Sequence, residues 1–296
     1  MLAAIYDRLE RHLALVLVAP AAFMLAVFTY GPAADSLWLS LHRVIASLPA
    51  RGEPFVGLEN YQELFASPVF RHSLATTLIF GAASTTLEIV LGLAIALCMH
   101  ASYRGRGGVR AAVLVPWAVP TVVASQMWRF LFNDRYGPLS QSLFAGSTPL
   151  ADPAGALAAV IVADVWKTTP FAALILLAGL QGIPRDLYEA AEVDGAGPLV
   201  RFFRVTLPLL RPALLAALLF RTIDAFRVFD MVFVMTQGGP ADSTDVLQYL
   251  GYRRMFGQGL VGSGAAISVL VACLSLSVSL VYLRLIGSGL WQGAKK

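Results

Sequence analysis

Residues 74–99 read LATTLIFGAASTTLEIVLGLAIALCM, an apolar run broken by a single ionisable side chain, Glu88. An α-helix that crosses the hydrocarbon core of a bilayer needs about 20 mostly apolar residues. Working outward from this run, five more stretches of the same kind are bounded by charge: about Leu13–Tyr30, Val109–Phe132, Ala156–Leu180, Leu209–Met235 and Val261–Ile286. The sequence therefore predicts an all-α, polytopic membrane protein of six transmembrane helices, read as one transmembrane domain over 1–296.

The whole composition agrees. The chain has 296 residues, of which 57% are hydrophobic and 14% charged, with a mean hydropathy of +0.70. Soluble domains carry about 25% charged residues, so a soluble enzyme, a disordered tail and a collagen-like chain are excluded. The formal charge of +4 comes from cations scattered between apolar runs, which argues against a nucleic-acid partner. The two cysteines, Cys98 and Cys273, sit in apolar runs, and the four histidines, His12, His42, His72 and His100, are dispersed near span ends. Neither set supplies a disulfide framework, a metal site or an acid–base cluster.

Orientation follows from the positive charges, which resist translocation. With the N-terminus inside, Arg8, Arg11, Arg104, Arg106, Arg110, Arg185, Arg201, Arg204, Arg211, Arg284, Lys295 and Lys296 fall on the cytoplasmic side. Arg43, Arg51, Arg71, Arg129, Arg135, Arg253 and Arg254 fall outside, and Lys167, Arg221 and Arg227 within spans. Both termini are expected in the cytoplasm of a cell whose inner or plasma membrane holds the chain. The first run also resembles a signal peptide cleaved near Ala33 or Ala34, but it exceeds the usual apolar length of such leaders and is read as an uncleaved span. In the first external segment, Leu58–Phe65 (LENYQELF) has the pattern of a short amphipathic surface helix.

Ionisable groups inside spans cost several kcal/mol unless paired or facing a cavity. Glu88 lacks a local partner; Asp164 and Lys167, three apart, are expected to pair with each other. In span five Arg221, Asp224, Arg227 and Asp230 recur every third residue with alternating sign, along a slowly winding stripe. That stripe suits either a wet pathway for a hydroxyl-rich ligand or a ladder that bonds neighbouring spans. Pro116 and Pro120 interrupt span three and Pro170 span four, each removing a helix hydrogen bond. Gly81, Ala82, Ser84, Gly92 and Ala96 offer small surfaces for close helix packing in span two.

Between spans four and five lies a long connection, GIPRDLYEAAEVDGAGPLVRFFRVTLPLLR, over 182–211. Pro184 starts a short helix that Gly195 and Gly197 end. A second, amphipathic helix should begin near Pro198 and place Leu199, Phe202, Phe203 and Leu207 on one side.

Within it Glu189, Ala190, Ala191, then Gly195, then Val205, Leu207 and Pro208 have the spacing of the EAA loop of ABC importer permeases. The one departure is Val205, where that family usually has isoleucine. The segment resembles that family's coupling loop, whose first helix seats in a groove of the ATPase subunit. The resemblance assigns ATPase coupling to Glu189, Ala190, Ala191, Asp194, Gly195, Leu207 and Pro208. It implies a type I permease architecture and a permease subunit without chemistry of its own. The implied partners are a second permease subunit, two ATPase subunits that bind ATP and Mg, an extracytoplasmic sugar-binding protein and the lipid bilayer. No Walker A pattern occurs in the chain.

Phe229-Asp230, Phe233, Met235-Thr236 and Gly238-Gly239-Pro240, together with Gly57-Leu58, Asn60-Tyr61 and Leu64-Phe65, are similar to carbohydrate-uptake permeases of the maltose, trehalose and glycerol-phosphate group. That resemblance implies sugar contacts at Asp224, Arg227 and Asp230, and a disaccharide such as trehalose or maltose as cargo, with glycerol-3-phosphate as the alternative. A proton-driven secondary transporter remains a further alternative, weakened by the lack of an internal repeat. A membrane enzyme lacks the cluster of carboxylates or histidines it would need.

Overall fold

The computed structural model describes residues 13, 15, 17–133, 135–143 and 149–293. The described residues are mostly helical, without a strand. Four helices are long and apolar enough to cross a membrane, and six spans result if each of two sharply bent helix pairs counts as one.

The described residues up to Ala66, with Gly251–Leu270, form one compact unit. Its first helix, α1 (Leu17–Ser40), continues ten residues past the expected end at Tyr30. The helix α2 (Glu59–Ala66) is the predicted amphipathic one. It buries Asn60 and Leu64, and the Asn60 amide donates to the carbonyls of Ser40 at 2.8 Å and His42 at 3.0 Å. Arg43 reaches both Glu59 (2.9 Å) and Glu63 (2.7 Å) on its outer face. Leu17, Phe28 and most other apolar side chains of α1 are exposed in the isolated chain, as lipid or a second subunit requires.

The other unit comprises Ser67–Leu250 and the described residues from Val271 onward. Its frame is α3 (Pro68–His100) packed along α7 (Pro153–Gln181). Gly92 lets them approach: a Cβ there would lie 3.1 Å from the Ala172 Cβ and 3.2 Å from the Ala173 nitrogen. Of the small residues in this span Ala82 is exposed, while Gly81, Ser84, Gly92 and Ala96 are buried. Asp152 caps α7 by accepting from the Gly155 amide at 2.7 Å.

Span three is broken, not kinked. Its halves α4 (Arg106–Ala118) and α5 (Thr121–Leu131) meet at 92°. Pro120 causes the break, because the residue before a proline is driven to extended geometry, and Val119 has ψ 131°. Pro116 and Pro170 lie inside α4 and α7 without ending them, so the expected interruption at Pro170 does not occur.

After a short α6 (Pro138–Leu143) and α7, the loop forms α8 (Arg185–Val193) and α9 (Pro198–Leu209), the latter passing through a π-helical turn at Phe202–Thr206. The π turn shifts the register by one residue, and of the side expected to be apolar, Leu199 and Phe203 remain exposed. Next, α10 (Arg211–Phe226) leaves α9 at 64°. Span five then breaks a second time at Arg227–Phe229 before α11 (Asp230–Met235), so the expected continuous helix to Met235 is absent. The short α12 (Leu247–Tyr252) leads to the long α13 (Val261–Gly293).

Two apolar clusters result. One gathers Phe80, Val160, Met231 and Met235, the other Ala96, Leu176, Leu180, Leu210 and Ala217. On α3, α7 and α10 alike, the buried ionisable residues Glu88, Asp164, Lys167 and Arg221 fall in the interval between them.

Candidate functional site

In that interval Arg221 of α10 is buried, 3% exposed, with three carboxylates around it. Its Nε and Nη2 fork onto the two oxygens of Glu88 on α3, the second at 2.9 Å. Nη1 donates to Asp224 Oδ2 at 2.6 Å, and Nη2 lies 3.7 Å from Asp164 Oδ2 on α7. Two parallel charge-assisted bonds to one carboxylate are the strongest pairing a guanidinium makes. Burial of Arg221 and Glu88 is tolerable only because the two charges meet each other.

The Thr168 hydroxyl lies 2.8 Å from Glu88 Oε1 and 2.5 Å from the Asp164 carbonyl. Three helices are thus tied together at mid-height. Glu88, which has no partner near it in the sequence, is the fully buried anchor of this cluster.

The expected Asp164–Lys167 pair does not form; Asp164 turns to Arg221 instead. Lys167 donates to the Val119 carbonyl at 2.8 Å and lies 3.5 Å from that of Trp117. These carbonyls are freed where α4 breaks, and a free carbonyl at membrane depth needs a donor. The alternating stripe is likewise cut: Arg221 and Asp224 pair on α10, whereas Arg227 and Asp230 lie beyond its end.

Beside the cluster opens a cavity of about 460 Å³. Its wall holds Asp164, Lys167, Arg221, Asp224, Arg227 and Asp230, three carboxylates against three cations. Aromatic rings complete it. Trp117 and Phe171 stack at 6.1 Å with planes 18° apart, and Phe220 meets Phe171 edge-on at 6.1 Å. The three residues singled out in span five, Asp224, Arg227 and Asp230, are all brought to this wall. Sequence reasoning missed Trp117, Thr168, Phe171 and Phe220; the one signal was the position of Trp117 between two prolines.

The loop has a defined shape as well. Gly195 ends α8 at φ +76°, a conformation only glycine adopts freely. The Gly195 amide donates to Glu192 at 3.0 Å and the Ala196 amide to Ala191 at 2.9 Å, the paired bonds of a Schellman cap. Tyr188 and Thr206 hydroxyls meet at 3.1 Å, and Arg201 pairs with Glu192, so α8 and α9 form a clipped hairpin. On it Glu189, Ala190, Asp194 and Gly195 are exposed, Ala191, Leu207 and Pro208 partly so, and Leu187 and Val193 present apolar surface.

Residues 88–286 match the binding-protein-dependent transport system inner membrane component family. The chain belongs to this family. As an ABC-importer permease it is 44% identical over 279 residues to the trehalose/maltose transport system permease protein MalF of Thermococcus litoralis, covering 93% of this chain and 94% of that protein. It is also 44% identical over 279 residues to the trehalose transport system permease protein SugA of Mycobacterium tuberculosis, covering 94% and 90%. The fold matches a chain in the crystal structure of a bacterial alginate ABC transporter in complex with an alginate pentasaccharide-bound periplasmic protein, with a TM-score of 0.80 over 94% of each chain at 21% identity. The permease is therefore a multi-pass membrane protein of the type I importer architecture.

Proposed function

We propose that this permease carries a disaccharide such as trehalose or maltose through the cavity beside Arg221, as one of two permease subunits flanking the pathway. The observation that carries the reading is the wall itself. Its charges balance and its aromatic faces stack, which suits a neutral, hydroxyl-rich ligand. Carboxylates accept from sugar hydroxyls, guanidinium groups donate to them, and ring faces cover apolar sugar surfaces. Asp224, Arg227 and Asp230 are the polar contacts. The sugars named for MalF of Thermococcus litoralis and SugA of Mycobacterium tuberculosis support the same class.

The exposed α8 is the coupling helix, with Glu189, Ala190, Ala191, Asp194, Gly195, Leu207 and Pro208 as its working residues. Its alanines allow close approach to a groove, and its exposed apolar side chains need a partner to cover them. Two ATPase subunits bind ATP and Mg and do the hydrolysis; an external binding protein delivers the sugar. The loop then faces the cytoplasm, with both termini on the same side. Glycerol-3-phosphate gains support from Arg227, whose side chain makes no hydrogen bond or ion pair among the described residues. Asp224 and Asp230, which line the same wall as Arg227, oppose a dianion.

The test is reconstitution of the full importer in vesicles, followed by ATP-dependent uptake of radiolabelled trehalose, maltose and glycerol-3-phosphate. Saturable uptake of one of the disaccharides supports the reading; uptake of the phosphate alone overturns the cargo assignment.

A further inference from the structure

The cations in the cavity wall are not equivalent. Arg221 is spent on three carboxylates, and Lys167 is spent on backbone carbonyls of the broken span. Lys167 lines the cavity, yet its ammonium points to Val119 and Trp117, at the bend whose last helical turn carries the Trp117 ring.

No backbone donor in α4 can reach these carbonyls. Their helical partners would be the amides of Thr121 and Val123, and the 92° bend turns α5, which carries both, away. Lys167 is the donor that satisfies the break from within the membrane. The break, in turn, fixes where Trp117 stands against Phe171.

We propose that Lys167 is a positioning residue for the sugar site, acting through Trp117 and not by touching the sugar. The ammonium pins the extended Val119 turn, the turn sets the height of the indole, and the indole supplies the flat face on which a pyranose ring stacks. A side chain on α7 thereby tunes specificity through a helix it does not belong to. The proposal rests on the cavity being the sugar site, and its test separates the two.

Equilibrium binding of radiolabelled trehalose and maltose is measured on the purified, intact importer carrying Lys167→Met, Lys167→Arg, Trp117→Ala, or Lys167→Met with Trp117→Ala. Loss of a charged hydrogen bond corresponds to about tenfold in affinity. Trp117→Ala and Lys167→Met are each expected to weaken binding by about that factor, Lys167→Arg to retain it, and the double variant to be no weaker than Trp117→Ala alone. Multiplying losses in the double variant overturn the proposal, because Lys167 then acts on the sugar by itself. Unchanged affinity in Lys167→Met overturns it as well. Unchanged affinity in Trp117→Ala removes the cavity as the sugar site, and the proposal with it. If Lys167→Met fails to assemble, Lys167→Gln, whose amide still donates one bond, replaces it under the same criteria.

Discussion

The buried cluster around Arg221 and the clipped hairpin of α8 and α9 are both rich in charge, and they treat it in opposite ways. In the cluster, Glu88 and Arg221 are almost wholly withdrawn from solvent and matched to each other. On the hairpin, Glu189 and Asp194 stand exposed beside uncovered Leu187 and Val193. A surface complete in itself belongs to the interior of one subunit. A surface that leaves apolar side chains uncovered and charges unmatched is one half of an interface. The difference sets a part of the permease that is matched within the chain against the exposed hairpin proposed to dock on a partner.

The comparison breaks most readily at Arg221. Replacing it by methionine leaves buried Glu88 without a counter-charge, and such losses cost about 3–5 kcal/mol. Thermal unfolding of the purified importer should show a large drop in midpoint or failure to assemble, and Glu88→Leu added to Arg221→Leu should recover part of it. An unshifted midpoint in Arg221→Met would mean that the cluster contributes little to the fold.

On the hairpin the outcome should invert, with stability kept and coupling lost. A β-branched residue at Gly195 must adopt φ +76°, at about 1–2 kcal/mol, confined to the end of one exposed helix. Gly195→Val is expected to co-purify with its partners while sugar-stimulated ATP hydrolysis falls about tenfold, if 1.4 kcal/mol of the docking energy is lost. Full stimulation in that variant would detach the loop from coupling.

Smaller effects sharpen the contrast. Asp152→Ala removes the cap of α7, the helix that carries Asp164 and Lys167, and should lower stability by about 1 kcal/mol without altering coupling. Glu192→Gln breaks an exposed ion pair to Arg201 and should cost no more than about 0.5 kcal/mol in the same melting experiment.

What the sequence made legible follows the range of the forces involved. Long apolar runs and the glycine at the end of α8 are local signals, and they located the spans, the loop and its cap. The bend at Pro120 was harder, because Pro116, Pro120 and Pro170 look alike in sequence while only one breaks a helix. Its distinguishing partner, Lys167, lies far along the chain. The break at Arg227–Phe229 has no proline to announce it. Glu88 seemed isolated because Arg221 is 133 positions away, and Asp164 and Lys167 seemed paired because they are neighbours. In fact Lys167 is taken by carbonyls that exist only where α4 stops. Residues such as Phe171 and Phe220 are apolar members of long runs in the sequence, and they line the cavity only where three helices converge.

The most direct measurement is the number of sugar molecules taken up per ATP hydrolysed, against sugar concentration, in vesicles holding the full importer. Asp224→Asn and Glu189→Lys are compared with the parent chain. The account predicts that Asp224→Asn shifts the sugar dependence and keeps the ratio at saturation, whereas Glu189→Lys collapses the ratio and keeps the sugar dependence. If both variants change the same quantity, or Glu189→Lys leaves the ratio intact, the separation between a sugar site at mid-height and a coupling surface on the loop is contradicted.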